Sequence, residues 1–168
     1  FANINAVPIV LSTQDPDEII RTVLAIAPTF GAIQLEDISA PRCFGIERRL
    51  SRDLDIPVMH DDQHGTAIVV LAGLLNALKI VKKPLAAVRI VIAGAGAAGT
   101  AIAHLLRASG VKDVTCTDRN GAIWAGRKDL NAEKVELAKH TNPKHRKGTL
   151  ADVMKGADVL VGTSGPGL

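Results

Sequence analysis

Short apolar runs alternate along the chain with stretches whose apolar residues recur at helical spacing. The runs predict six strands, at 7–12, 30–35, 56–59, 88–93, 114–117 and 158–161. The helical spacing predicts helices from Asp15–Pro16, from Ser39, and over 66–81, 97–108, 133–140 and 150–155. Most of the strands are continuous apolar runs, which is typical of a parallel sheet covered on both faces. We therefore predict an α/β fold with a mostly parallel sheet and helices on both faces.

Local signals refine three of these helices. Asp15 is a good N-cap, Pro16 suits the first helical position, and Glu18 would complete a capping box. The stretch 66–81 is apolar almost all round, which predicts a buried helix. The polar residues 60–65 before it predict a loop.

A glycine-rich turn follows the strand at 88–93 and opens the helix at 97–108. Gly94 would allow the tight turn, Gly96 would let a pyrophosphate approach the backbone, and Gly99 would let helix and strand pack closely. Asp118 lies 19 residues after Gly99, at the end of the next strand, where an acidic residue binds the adenosine ribose. This context favours a dinucleotide site over a glycine-rich turn without a ligand. The predicted cofactor-binding residues are Gly94, Ala95, Gly96, Ala97, Ala98, Gly99 and Asp118.

The choice between NAD and NADP stays open on these residues. Asp118 would repel a 2′-phosphate, whereas Arg119 beside it would pair with one, so Arg119 joins the predicted cofactor-binding residues.

Two acidic pairs follow predicted strands. Glu36 and Asp37 end one strand, and Asp61 and Asp62 end the next. Because the carboxyl ends of parallel strands meet at one edge of a sheet, the four carboxylates are expected to converge there. Such hard oxygen ligands suit Mg²⁺ or Mn²⁺. The alternatives are ordinary polar strand ends, with Asp62 capping the next helix.

Zinc is a further alternative at this point of the chain. His60 and His64 have an i, i+4 spacing, but they lie on either side of a predicted strand-to-loop break. That break need not place them on one face, so both are interpreted as turn residues near the site.

Composition excludes several partner classes. The 20 basic residues face 17 acidic ones, for a net charge of +3, which argues against nucleic-acid binding. The longest apolar run, 67–75, is shorter than a membrane span. Two cysteines far apart fit a reducing cytosol, so a cytoplasmic protein is expected. The chain contains no tyrosine, so it cannot supply a tyrosine acid.

The segments 35–38 (LEDI), 61–67 (DDQHGTA) and 94–99 (GAGAAG) together resemble malic enzymes in order and spacing, especially the shorter, bacterial-type members. The DDQHGTA segment is specific, whereas the glycine loop is not specific by itself. The likeness continues through 121–123 to Ser164-x-Pro166-Gly167, which adds Ser164 to the predicted cofactor-binding residues.

This resemblance implies oxidative decarboxylation of malate to pyruvate and CO₂, with NAD or NADP and with Mg²⁺ or Mn²⁺. By motif match, Glu36, Asp37 and Asp62 would be the metal ligands, and Asp61 would be a neighbouring carboxylate that orients the catalytic groups. Bacterial-type members often use NADP despite an acidic residue at the position of Asp118, which favours NADP slightly.

The resemblance also implies a domain division and missing parts. Residues 1–64 would end a metal- and substrate-binding domain, and 65–168 would begin a Rossmann-type NAD(P)-binding domain. The family's tyrosine acid and lysine base would precede this chain, and its substrate-binding asparagines would follow it. We therefore expect a portion of a longer protein, a homo-oligomer (dimer or tetramer) when intact, that is inactive as this portion alone. Two alternatives remain: a malolactic-type decarboxylase that retains NAD and releases lactate, and a non-catalytic dinucleotide-binding module.

Overall fold

Two separate sheets organise the fold. The structure, a computed structural model, describes residues 3–165. A small parallel sheet pairs β1 (Ile33–Leu35) with β2 (Val58–His60). The larger sheet has the strand order β5-β4-β3-β6. Its strands are β3 (Arg89–Ala93), β4 (Asp113–Asp118), β5 (Gly121–Ala122) and β6 (Val159–Gly162), all parallel except β5.

Residues 3–165 include six α-helices, of which the first precedes β1. They are α1 (Pro16–Ile26), α2 (Arg42–Asp53), α3 (Asp61–Val81), α4 (Ala97–Ala108), α5 (Ala132–His140) and α6 (Leu150–Met154). The predicted α/β architecture with a mostly parallel sheet is confirmed.

The larger sheet has helices on both faces because its central strand, β3, is buried on both sides. Ile90 and Ile92 point to the face covered by α3 and α4, while Val91 points to the face covered by α6, and none of the three is exposed. This alternation follows from the period of two along a strand. The prediction of helices on both faces is thereby confirmed.

The first helix begins as predicted, but with a different partner for its glutamate. Asp15 caps α1, since its Oδ1 accepts the Glu18 N–H at 2.9 Å. The prediction of a capping box is wrong, because the Glu18 carboxylate does not accept the Asp15 N–H. The Thr13 hydroxyl accepts this N–H at 3.1 Å instead, and it donates to the Glu18 carboxylate.

The predicted strand at 7–12 is wrong. These residues form no ladder, and Val7, Ile9 and Val10 are exposed. A strand needs a hydrogen-bonding neighbour, and in the part of the chain that the structure describes no strand lies beside this segment.

The strand predicted at 30–35 is shorter than expected. Only β1 forms, because a 3₁₀ turn at Ala27–Thr29 comes just before it.

Helix α3 corrects two further predictions. The predicted loop at 60–65 is wrong, because the helix begins at Asp61, directly after β2. The predicted burial is also wrong: α3 buries Ala67, Leu74 and Leu78 on one side, but Ile68, Val69, Ile80 and Val81 remain exposed. The apolar composition of α3 does not show which of its faces packs against the rest of the chain.

By length and composition alone, α3 would qualify as a membrane span. Its most apolar window has a mean hydropathy of 1.7, and only 17% of that window is buried. The length of the uninterrupted apolar run at 67–75 therefore underestimates how apolar the whole of α3 is. However, the first turn carries Asp61 and Asp62, and the buried side packs against α4 within the core. We interpret α3 as a helix of the α/β fold, because its buried side belongs to the core.

Substituting Gly99 by alanine should destabilise the fold. A Cβ there would collide with the carbonyl oxygen of Gly94, which belongs to the rigid turn before α4. We expect the free energy of unfolding to fall by about 1–3 kcal/mol in urea denaturation of the intact protein. Gly73→Ala is the matched control, since a Cβ at this helical glycine meets nothing within 4 Å. Equal stability of the two variants would contradict the packing role of Gly99.

Candidate functional site

Three carboxylates converge where the small sheet meets α3. Glu36, Asp37 and Asp62 each offer one oxygen, and these oxygens lie within 4.8 Å of one another. The register of β1 and β2 pairs Leu35 with His60, so the residues following β1 lie beside the first turn of α3. The structure thus brings together the three predicted metal ligands and leaves Asp61 outside the cluster.

The backbone after β1 directs Asp37 toward Asp62. Asp37 has a left-handed conformation with φ 56°, which aspartate tolerates better than most residues. Its N–H donates to Asp62 Oδ2 at 3.0 Å. Glu36 is held separately, because the side-chain amide of Gln34 donates to Glu36 Oε2 at 2.8 Å.

The Asp61 side chain instead lies along α3, toward Gly65. A Cβ at position 65 would overlap the Asp61 carboxylate, so Gly65 makes room for this side chain. The orienting role predicted for Asp61 stays a prediction.

The geometry excludes the capping role of Asp62 and shows what the two histidines contact. His60, not Asp62, occupies the N-cap position of α3, and the Asp62 side chain accepts from Asp37. His64 points to Glu47, with Nε2 2.7 Å from Oε1. Neither histidine belongs to a group of three potential ligands within the described residues, which argues against zinc.

The cluster has the chemistry expected of a divalent-cation site. Its donors are all carboxylate oxygens, which Mg²⁺ and Mn²⁺ prefer. The N-terminal end of the α3 dipole favours negative charge at Asp62. In addition, His60 is fully buried behind the cluster, and its Nε2 has no hydrogen-bond partner although it lies 3.1 Å from Asp62 Oδ2.

The glycine loop has the geometry predicted for each glycine. Gly94 has φ 111°, which allows the tight turn, and its N–H still donates to the Thr117 carbonyl of β4 at 3.1 Å. Gly99 packs against the Gly94 carbonyl, whereas a Cβ at Gly96 would meet open space. Open space at Gly96 fits the close approach of a phosphate to the helix N-terminus. Contacts of the loop, including Ala95, Ala97 and Ala98, with a cofactor remain predictions.

The end of β6 lies against this turn. A Cβ on Gly94 would lie 2.9 Å from the Ser164 backbone nitrogen, so Ser164 is beside the loop, and its contact with a cofactor stays a prediction. Pro166 and Gly167 of the same motif lie outside the described residues.

One pocket joins the two halves of the site. It has a volume of about 400 Å³ and is lined by Asp37, Ile38, Ser39, Asp62, Thr66, Ala97 and Ala98. Two carboxylates of the cluster and two residues at the start of α4 therefore open onto the same space. A dinucleotide on the glycine loop and a cation on the carboxylates would share this pocket.

Asp118 ends β4 as predicted, but its carboxylate already has partners. Arg127 Nη2 donates to both oxygens, at 2.9 and 2.7 Å, and Lys134 Nζ lies 2.6 Å from Oδ2. Burial alone raises the pKa of Asp118, but the hydrogen bonds from Arg127 and Lys134 outweigh it and hold the pKa below its usual value. Arg119 is exposed beside this group.

Sequence reasoning missed Arg127 and Lys134, as well as Glu47 and Gln63 behind the carboxylate cluster. Arg127 and Lys134 contact Asp118 across 9 and 16 positions of chain. Glu47 contacts His60 across 13 positions and Gln63 across 16. No local pattern marks such pairs. Glu47 alone could have been found from the sequence, because it is the single acidic residue on the predicted buried face of the helix after Ser39.

The fold and the site define a Rossmann-type dinucleotide-binding protein with a carboxylate cluster beside its glycine loop. Residues 63–167 match the family model "Malic enzyme, NAD binding domain", and residues 10–51 match "Malic enzyme, N-terminal domain". Since the first match alone covers more than half of the sequence, the chain belongs to the malic enzyme family.

Named relatives agree with this assignment. An NAD-dependent malic enzyme of Geobacillus stearothermophilus is 56% identical, covering 100% of this chain and 35% of that enzyme. A bifunctional malic/malolactic enzyme of Bacillus subtilis is 52% identical, covering 98% and 40%. The crystal structure of the NAD-dependent malic enzyme of Thermotoga maritima superposes with a TM-score of 0.94 at 46% identity, covering 98% of this chain and 44% of that one. The chain thus spans less than half the length of these relatives.

Substituting Gly96 by alanine should impair cofactor binding without affecting the fold. The backbone at Gly96 suits any residue, and an added Cβ meets no atom within 4 Å. It would instead occupy the space into which the pyrophosphate must come. We expect NAD(P)H to bind at least about tenfold more weakly, a loss of about 1.4 kcal/mol, in a fluorescence titration of the intact protein. An unchanged affinity would place the cofactor elsewhere.

Proposed function

We propose that the protein to which these residues belong catalyses the divalent-metal-dependent oxidative decarboxylation of malate to pyruvate and CO₂, with reduction of NAD(P)⁺. The observation that carries the proposal is the shared pocket, which Asp37 and Asp62 line together with Ala97 and Ala98. Membership of the malic enzyme family supports the same reaction.

Residues of this chain would bind a cation at one end of the pocket and a dinucleotide at the other. Glu36, Asp37 and Asp62 would hold the cation, which when bound supplies Lewis acidity toward a 2-hydroxy acid and toward the enolate left by CO₂. Free N–H groups at the start of α4 would bind the pyrophosphate, so that the nicotinamide end extends toward the carboxylates. Since α3 provides Asp62 and packs on α4, the two ends are held at a fixed separation. A 2-hydroxy acid held at the carboxylate end would then have its C2 hydrogen within reach of a dinucleotide at the other end.

A malolactic outcome is the second candidate, because one relative is named a bifunctional malic/malolactic enzyme. Product analysis of the intact protein with malate, Mn²⁺ and NAD(P)⁺ separates the candidates. We expect pyruvate and reduced dinucleotide to accumulate in equal amounts. Lactate without free reduced dinucleotide would indicate the malolactic reaction, and no turnover would indicate a binding module.

Neutralising any of the three ligands should remove metal-dependent activity. Glu36→Gln, Asp37→Asn and Asp62→Asn each replace a charged oxygen donor by a neutral one of the same shape. We expect kcat/KM for malate to fall by more than about a hundredfold, with Mn²⁺ binding weakened in parallel. Asp55→Asn removes an exposed carboxylate outside the cluster and should have no effect. Full activity in all three ligand variants would refute the metal site.

The same protein is proposed to accept NADP. Arg127 and Lys134 compensate the charge of Asp118, which reduces its repulsion of a 2′-phosphate. Relatives named as NAD-dependent and as NADP-dependent malic enzymes are both similar to this chain, so family membership does not decide the preference.

Removing the lysine next to Asp118 should shift this preference. In Lys134→Met the carboxylate loses one of its two cations, and Oδ2, left with Arg127 alone, can accept a further hydrogen bond from a ribose hydroxyl. We expect KM for NADP⁺ to rise about tenfold, equivalent to about 1.4 kcal/mol, while KM for NAD⁺ stays the same or falls. Lys128→Met, which removes an exposed lysine nearby, is the control. Equal changes for both cofactors would exclude Lys134 from cofactor selection.

Three further properties belong to this proposal. The domain division at 64 and 65 is supported by the separate sheets and by the separate family matches, although β2 passes into α3 without a linker.

A homo-oligomer and a cytoplasmic location are supported by the family resemblance. Light scattering of the intact protein tests the oligomer.

A further inference from the structure

A buried chain of hydrogen bonds runs behind the carboxylate cluster. It consists of Glu47 on α2, Gln63 on α3 and His60 at the end of β2, exposed by 9%, 5% and 0%. Gln63 Nε2 donates to Glu47 Oε2 at 3.0 Å and lies 3.1 Å from His60 Nδ1. Glu47 Oε1 also accepts the backbone N–H of His60 at 2.9 Å.

This chain determines which nitrogen of His60 carries the proton. The Glu47 carboxylate accepts hydrogen bonds, so the NH₂ group of the Gln63 amide must face it. The same NH₂ group then faces His60 Nδ1, which therefore accepts. In a neutral imidazole the proton is consequently on Nε2, the nitrogen nearest the cluster.

His60 Nε2 is aimed at a proposed metal ligand. It lies 3.1 Å from Asp62 Oδ2, at an orientation that does not complete a hydrogen bond, and no other described group accepts its proton. Asp62 Oδ2 already accepts from the Asp37 N–H. Within residues 3–165, donors approach Asp62 only at Oδ2, which leaves Oδ1 available to a cation.

We infer that Glu47, Gln63 and His60 are positioning residues for the metal site: they hold the Nε2–H of His60 against Oδ2 of Asp62 and so present Oδ1 to the cation. The inference rests on the proposed function. Hydrogen bonding behind a ligating carboxylate is a general means of orienting it. None of the three residues needs to contact the cation, the substrate or the dinucleotide.

Paired substitutions of His60 test this role. His60→Gln retains an N–H donor near the position of Nε2, whereas His60→Leu removes it and fills a similar volume. Mn²⁺ affinity is measured on the intact protein by electron paramagnetic resonance, without malate or dinucleotide. We expect His60→Leu to bind Mn²⁺ about 10–100-fold more weakly, and His60→Gln to recover most of that loss.

Two further measurements separate positioning from a general structural role. NADPH affinity of His60→Leu, measured by fluorescence, should match the wild type, because the glycine loop does not contact this chain of hydrogen bonds. Gln63→Met keeps the side-chain length but removes the amide, and should weaken Mn²⁺ binding in the same direction. This second variant answers the question if His60→Leu does not fold. His140→Gln on α5, far from the cluster, is the control.

The outcomes are distinct. Wild-type Mn²⁺ affinity in both His60→Leu and Gln63→Met would overturn the inference while leaving the metal site intact. Equal weakening in His60→Gln and His60→Leu would also overturn it, since the donor would then be irrelevant. Absence of Mn²⁺ binding by the wild type would instead refute the proposed metal site, and the inference with it.

Discussion

The parallel pairing of β1 with β2 is the contact on which the site depends. It matches Leu35 with His60, so the chain leaves β1 at Glu36 beside the point where β2 passes into α3. With no loop between β2 and α3, Asp62 is fixed in the first helical turn, facing the residues after β1. A register shift of one residue would turn these side chains to the opposite face and separate the carboxylates.

Helix α3 extends this local geometry to the dinucleotide-binding half. Its first turn contributes Asp62, and its buried side packs on α4, whose N-terminus follows the glycine loop. The distance between carboxylates and loop is thus set by helix packing, which deforms little. This explains why one pocket serves both, while residues behind the carboxylates, such as His60, are not among the residues that line it.

The sequence predicted those features that depend on neighbouring residues. The bounds of α4 and the roles of Gly94 and Gly99 followed from the steric demands of one turn. The start of α3 did not, because a polar stretch such as 60–65 is typical of loops; here Gly65 is needed to accommodate Asp61. The partners of Asp118 and the Glu47–Gln63 contact were not predictable, since tertiary packing alone brings these residues together.

The most direct test of the account is anomalous diffraction from crystals of the intact protein containing Mn²⁺. We expect a manganese peak within about 2.5 Å of carboxylate oxygens of Glu36, Asp37 and Asp62, at the edge of the pocket that Ala97 and Ala98 also line. A manganese bound at other residues, with these three carboxylates left free, would contradict it.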